Sequence, residues 1–442
     1  METPICDFVR AYALRETVRA HMPGHKGNAR LGAERLDITE IAGADELYAA
    51  DGVIRESERN ASRLFGSAGT YYSCGGSSQS IRAMLFLAMT QAEKPEGRPL
   101  LLAARNAHRS LVECAALLDF DIEWLYPAES ESICSCPVTP RDVASALDGM
   151  EKKPFAVYLT SPDYLGGMAD VRGIAGAAHA RGIPLLADNA HGAYLAFLKP
   201  SLHPLHLGAD MTADSAHKTL PVLTGGAYLH VSENMKFSES DARRALSLFG
   251  STSPSYLILQ SLDRANAELA GGYAGEILRC AERTAELKRR LARNGYRLFG
   301  GDPLRVTLAG DGKEIARRLR LGNVEPEYAD RDFAVLMLTP DNGEQDFARI
   351  EAALGRADGC SGEPRRAEIV RGRRVLSIRE AVFARQELVP VQEAAGRIAA
   401  APTVSCPPAV PAVISGERIT GQAVRAMREA GIECVSVTAD FI

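Results

Sequence analysis

The sequence has almost no excess of charge. Fifty-one Lys and Arg (51) stand against 56 Asp and Glu, a formal net charge of −5. Nucleic acid and anionic membrane are therefore poor main partners, because both are recognised through clustered positive charge. No stretch approaches the roughly 20 apolar residues of a membrane-spanning helix. The opening "METPICDFVRAYALRETVRAHMPGHKG" is charged and amphipathic and lacks the apolar core of a secretory signal. The nine cysteines follow no regular spacing, and the closest pair, Cys134-x-Cys136, matches no zinc or redox motif. The expectation is a cytoplasmic chain with reduced thiols and no bound metal. There is no internal repeat, no low-complexity tract, and no Gly-Lys-Ser/Thr after a glycine-rich turn of the Walker kind.

What is present points to an α/β protein. A chain of 442 residues is too long for one ordinary core and predicts two or three domains. Between about 60 and 240, short apolar runs end in small or polar residues and amphipathic stretches follow. "RPLLLAARNAHRS", "PFAVYLTSPDYLGG", "RGIPLLADNAHGAY" and "GGAYLHV" read as strands running into loops, while "SIRAMLFLAMTQAE" and "VRGIAGAAHARG" read as helices. Such alternation predicts a mostly parallel sheet covered on both faces, with its chemistry at the carboxyl ends of the strands. A long helical stretch from Ser255 to Tyr296 carries a break at Gly271-Gly272. The expected organisation is an N-terminal segment 1–45, a large domain with its connecting helix 46–300, a small α+β domain 301–358, and a linker with a C-terminal domain 359–442. Residues 356–374 read as the polar linker.

Four features carry chemistry. Lys218, in "SAHKTL", is either a solvated lysine or one that attacks a carbonyl to form an imine. "YYSCGGSSQSIRAMLFLAM" runs from a strand through Gly75-Gly76-Ser77-Ser78 into a helix, the arrangement of an anion cradle or of a plain capped turn. Asp188 ends a buried strand, where a carboxylate is costly unless paired. It could cap a helix, bind a metal, or hold a protonated ring nitrogen. His108, just past another strand, could stack on an aromatic ring or serve as a hydrogen-bonded structural residue, and His217 could simply neighbour Lys218. The order of phosphate turn, stacking histidine, strand-end acid and lysine is that of a pyridoxal phosphate enzyme of the aminotransferase type.

The sequence also resembles the ornithine/lysine/arginine decarboxylase family, in its short form without an N-terminal receiver-like domain. The stretches that carry the resemblance are "HMPGHKG" (21–27), "DITEIAGADEL" (37–47), "CGGSSQS" (74–80), "RNAHRS" (105–110), "DNAHGA" (188–193), "SAHKTLPVLTGGA" (215–227), "STSPSY" (251–256), "PEYAD" (326–330) and "CPPAVP" (406–411). The resemblance implies an α/β fold of the pyridoxal phosphate aminotransferase-like kind (fold type I), with a large mostly parallel sheet domain and smaller α+β C-terminal domains. It implies that Lys218 holds pyridoxal 5'-phosphate covalently, that His108 stacks on its ring, that Asp188 binds its ring nitrogen and that Ala190 lies beneath. Gly76, Ser77, Ser78, Ser215 and His217 would contact or flank the phosphate. Ser251 or Thr252 would reach the phosphate in a neighbouring subunit of a homodimer or higher homo-oligomer, and Glu327 would meet the distal cation of the substrate. The chain departs from the family's usual residues at Cys74-Gly75-Gly76, where Asn-Gly-Thr/Ser is common, and at Gly225, where a Gln is common.

The implied activity is decarboxylation of arginine, lysine or ornithine to an amine of the polyamine kind. Lys218 or His217 would return a proton to the α-carbon. An aminotransferase, a β-eliminating lyase and a non-catalytic cofactor-binding paralogue are the other readings. Glu325, Glu327, Asp330, Asp45 and Glu46 are the acids that could meet a substrate guanidinium or ammonium.

Overall fold

The computed structural model describes residues 1–15, 17–93, 97–367, 369–404 and 408–439. Cys406 and Pro407 of "CPPAVP" lie outside the described residues. Seven short strands carry the main sheet: β1 (Gly69–Ser73), β2 (Leu100–Ala104), β3 (Asp121–Leu125), β4 (Val157–Thr160), β5 (Leu185–Asp188), β6 (Met211–Asp214) and β7 (Ala227–Val231). Their order is β1-β7-β6-β5 for four of them and β4-β2-β3 for the other three. β5, β6 and β7 are buried at every position, with no in/out alternation, and they carry buried Asp188, Thr212, Asp214 and His230 among their apolar residues.

The chain forms two compact units, Met1–Gln91 with Leu185–Arg279 and Ala92–Pro184 with Cys280–Ile442. In the first, β5 pairs in parallel with β6, while β7 runs antiparallel to both β6 and β1. Register aligns the ends. Asp188 lies opposite Ala213, Asp214 opposite Tyr228, and Ser73 opposite Ala227. The carboxyl ends of β1, β5 and β6 and the start of β7 therefore meet at one end of the sheet, and the segments that leave them share that end. The helix Gly76–Gln91 buries Ile81, Met84, Leu85 and Leu87 and packs against β6 and β7. Its almost continuous apolar surface is that of a helix buried on most sides. In the "HMPGHKG" loop, His21 Nε2 lies 2.7 Å from the Tyr12 hydroxyl, and His25 Nε2 lies 3.2 Å from Asp37 Oδ2.

In the second unit β2 pairs in parallel with β3 and β4. Strands β8 (Arg297–Phe299), β9 (Arg305–Ala309), β10 (Tyr328–Ala329) and β11 (Phe333–Met337) form an antiparallel sheet in the order β10-β11-β9-β8, with helices Gly312–Leu321 and Glu344–Leu354 following β9 and β11. β12 (Gln386–Pro390) and β13 (Cys434–Thr438) pair antiparallel beside the helix Gly421–Glu429. Val389, Val391, Ile419, Met427, Val435 and Val437 fill their core. Among the described residues, 356–374 carry no helix, and their only strand-type pairings are isolated bridges at Ser361 and Arg374.

The helical stretch breaks at Gly271-Gly272, as expected. Tyr256–Glu268 and Ala274–Arg293 are α-helices joined by a wide turn at Leu269–Tyr273, where Gly272 takes φ +134°. That conformation is cheap for glycine and costly for any residue with a Cβ. The eight described cysteines are all free thiols.

Candidate active site

The site grows from the end of β1. Ser73 Oγ donates to Gln79 Oε1 at 2.7 Å, and the Gly75 amide is shared between Ser73 Oγ (3.2 Å) and Gln79 Oε1 (3.1 Å). Gln79 Nε2 in turn donates to the Tyr48 hydroxyl and to the Leu246 carbonyl, both at 2.9 Å. A buried glutamine thus ties the turn to two other segments. The Gly76 amide donates to the Gly225 carbonyl at 2.8 Å. The glycine amides expected to face an anion are therefore used within the turn. What remains for an anion is the start of the helix: the hydroxyls of Ser77 and Ser78 and the first amides, which lack intrahelical acceptors, with the helix dipole behind them. Ser215 Oγ donates to Ser77 Oγ at 2.8 Å, so the segment leaving β6 brings a third hydroxyl to the same place. Gly76 has φ +69° and nothing within 4 Å of where a Cβ would stand, so the turn keeps open room in front of it.

The segment leaving β6 forms the short helix Ala216–Thr219. The His217 amide and Nδ1 both donate to the Gly226 carbonyl, at 3.2 and 3.0 Å. Burial, the largest influence, holds the His217 pKa below its ordinary value, and the nearby Lys218 charge adds to this against the Gly226 bond. The ring is therefore neutral at pH 7, with Nε2 its acceptor. Lys218 is half-buried, and its Nζ lies 2.8 Å from Nε2 of His191, a residue only 6% exposed. Asp188, 2% exposed at the end of β5, accepts the Ala190 amide on Oδ1 at 3.1 Å. This one end of the first unit thus holds a primary amine against an imidazole, a buried strand-end carboxylate, and three hydroxyls at a helix start with room before them. Amine, carboxylate and anion cradle are the three fittings that a phosphorylated pyridine aldehyde requires, so the residues present fit pyridoxal phosphate.

The pairing of Lys218 with His191 is absent from the sequence-derived site. The only sequence signal for it is the place of His191 three residues past the strand-end acid. Ser251 and Thr252 lie exposed in the loop between the helices Glu239–Ser247 and Tyr256–Glu268, where Ser251 Oγ accepts the Ser253 amide at 3.1 Å.

Two expected site residues belong to the second unit. His108 caps the helix Arg109–Leu118, its Nδ1 accepting the Ser110 amide at 3.2 Å and lying 2.7 Å from the Ser110 hydroxyl. Glu327 is exposed and accepts the Tyr164 hydroxyl at 2.8 Å. Among the other acids considered for a substrate cation, three are locally committed. Glu325 pairs with Arg320, Asp330 accepts the Tyr328 hydroxyl and two amides, and Asp45 accepts a series of amides that starts the helix Val53–Phe65.

Comparison with known proteins places these observations. The pattern of the family described as Orn/Lys/Arg decarboxylase, major domain, matches residues 3–304, and that of its C-terminal domain matches residues 375–429. The uncharacterized protein YaaO of Bacillus subtilis (strain 168) is 30% identical, over 96% of this chain and 93% of its own. An arginine decarboxylase of the same organism is 28% identical, over 95% of this chain and 91% of its own. The solved lysine decarboxylase LdcF of Francisella novicida superposes with a TM-score of 0.80 at 15% identity, over 99% of this chain and 81% of that one, which shows a shared fold. The fold is type I of the pyridoxal phosphate enzymes. With the major-domain pattern running through well over half of its length, this chain belongs to the Orn/Lys/Arg decarboxylase family.

Proposed function

We propose that this member of an amino acid decarboxylase family releases carbon dioxide from a basic amino acid, arginine, lysine or ornithine, using pyridoxal phosphate held on Lys218. The observation that carries the reading is the meeting of Lys218, Asp188 and the Ser77–Ser215 hydroxyl pair at one end of a type I sheet in a chain of this family. When bound, the cofactor supplies an electrophilic carbon for the substrate amine and a ring that takes up the electrons left by the departing carboxylate. Asp188 would keep the ring nitrogen protonated through a charged hydrogen bond. Ser77, Ser78 and Ser215 would hold the phosphate at the helix start, Gly76 would leave room for it, and Ala190 and, on the family resemblance, His108 are the residues that would contact the ring.

Lys218 is the favoured source of the proton returned to the α-carbon. Its Nζ has an imidazole 2.8 Å away to exchange protons with, whereas His217 Nδ1–H is spent on the Gly226 carbonyl and its ring is neutral at pH 7. Glu327, which accepts the Tyr164 hydroxyl, is the candidate for the distal substrate cation by its place in the family's "PEYAD" stretch. The exposed placement of Ser251 and Thr252 suits a role across a dimer interface. The composition suits a cytoplasmic enzyme, and among the described residues no helix is long and apolar enough to cross a membrane.

The test incubates purified chain and pyridoxal phosphate with each of the three amino acids, measuring carbon dioxide, amine and keto acid. Amine with stoichiometric carbon dioxide is expected from at least one of them. Lys218→Ala should abolish both turnover and the visible absorbance of the bound cofactor. Keto acid in place of carbon dioxide, or ordinary turnover by Lys218→Ala, would reject the proposal.

A further inference from the structure

Directly behind the proposed site lies a fully buried polar cluster that the chemistry above does not use. Asn189, the residue after Asp188, donates from Nδ2 to Asp214 Oδ2 at 2.7 Å. Asp214, the residue before Ser215, also takes His203 Nε2 on Oδ2 at 2.8 Å and the Thr212 hydroxyl on Oδ1 at 2.9 Å. His203 Nε2 lies 2.9 Å from Asn189 Nδ2 as well, and the Leu205 amide points at its Nδ1 from 3.3 Å, which leaves the proton on Nε2. His230 Nε2 stands 3.8 Å from Asp214, with Nδ1 held by the Thr70 hydroxyl at 2.8 Å. Asn189, His203, Asp214 and His230 have no more than 0% exposure.

Two histidines and an aspartate within 4.8 Å of one another also have the composition of a metal site. The distances favour hydrogen bonding instead. Two ligands at ~2.0–2.1 Å from a tetrahedral ion sit about 3.3 Å apart, whereas His203 Nε2 and Asp214 Oδ2 are 2.8 Å apart. Both Asp214 oxygens are also already taken by donors. Burial raises the Asp214 carboxyl, but His203 and the donors around it outweigh burial, and its pKa falls below the ordinary value. The cluster therefore holds a carboxylate, and that carboxylate binds the two strand ends to each other.

We propose that the Asn189–Asp214–His203 cluster is a clamp that positions the chemistry: it fixes the carboxyl ends of β5 and β6 relative to each other, and so sets Asp188 against the Ser215–Lys218 turn. For its catalytic consequence the inference rests on the function proposed above. The physical reason is proximity in sequence and stiffness in space. Asp188 and Ser215 are each one residue from a clamp member. A buried hydrogen bond to a charged group is worth more than a neutral one, so the clamp resists sliding where an apolar contact would permit it. Strand pairing alone fixes the register of Asp188 with Ala213. It leaves free the torsions beyond the last pair, and those torsions aim the functional side chains.

The test exchanges acid and amide. Asn189→Asp places two carboxylates in hydrogen-bond contact, Asp214→Asn removes the charge, and the double exchange Asn189→Asp/Asp214→Asn rebuilds one amide–acid bond. In the double exchange His203 Nε2–H is still within reach of the carboxylate. The first readout uses chain free of cofactor: amide hydrogen exchange in peptides covering 185–192 and 211–219. Each single variant should exchange about 10-fold faster there, and the double exchange should return to near the parent rate. The second readout is kcat and KM with cofactor. The singles should lose about 10-fold in kcat with KM nearly unchanged, and the double exchange should recover it. If Asn189→Asp fails to fold, Asp214→Asn and the double exchange decide alone. Unchanged exchange in Asp214→Asn, or singles that the double exchange does not rescue, would overturn the clamp. Exchange rates that behave as expected in a chain that decarboxylates none of the three amino acids would keep the clamp and discard the proposed function.

Discussion

Asp188→Asn isolates a single charge. The amide keeps an oxygen for the Ala190 amide, now accepted at 3.1 Å, and it matches the carboxylate in size, so β5 and the turn after it should stay in place. At 2% exposure no water can substitute for what is lost. On the proposed function the substitution removes one charge-assisted hydrogen bond to the cofactor's ring nitrogen, worth about 1.5–3 kcal/mol. At about 1.4 kcal/mol per tenfold, kcat should fall roughly 10- to 150-fold. The cofactor should stay attached through Lys218. The assay is carbon dioxide release under saturating substrate, with visible absorbance to count loaded sites. A fall of less than about threefold at equal loading would refute the role of the charge. Complete loss of cofactor would refute the premise that Asp188 acts on the ring and leaves its attachment to Lys218.

Three further outcomes are expected. Gly225 has φ +98°, and a Cβ there would stand 3.1 Å from both the Cys74 carbonyl and Ile258 Cδ1. Gly225→Ala should destabilise the chain by about 1–2 kcal/mol. It should also weaken cofactor binding, because the Gly225 carbonyl holds the Gly76 amide; an unshifted melting temperature with unchanged binding would count against this. Burial, foremost, holds the His230 pKa down to about 3, so below pH 6.5 the unfolded chain takes up a proton that the folded chain refuses. Stability is full above pH 6.5 and falls as the pH drops toward 3, by about 2 kcal/mol between pH 6.5 and 5. Unfolding in denaturant at both pH values should show a smaller loss for His230→Gln, and equal losses would contradict the reasoning. Burial pushes the Cys74 thiol up to about 12, while Cys434 is exposed. In a chain carrying Cys406→Ser, a mild alkylating reagent at pH 8 should label Cys434 first and spare Cys74; rapid labelling of Cys74 would overturn that assignment.

The elements that could be read in advance are those with local signals. β5 is four apolar-to-acid residues bounded by turn residues, and β7 is a short run after Gly225-Gly226; both lie where pattern alone put them. The break at Gly271-Gly272 also lies where composition put it, because Gly272 takes φ +134°, a conformation outside any helix that only glycine adopts cheaply. At the phosphate turn, composition suggested glycine amides facing an anion. The structure commits those amides to Gln79, Ser73 and Gly225, because a tight turn satisfies its own donors first.

By itself the sequence determined the inventory and its order: a serine turn, a strand-end acid at 188, and a lysine at 218. These are legible because each sits at a strand end, and strand ends follow from short-range patterning. Only the tertiary structure decided who touches whom. His191 against Lys218, Ser215 against Ser77, and Asn189 and His203 against Asp214 all join segments at least eleven residues apart. Such contacts depend on the register between strands and on the turns that follow them, and no local periodicity encodes either.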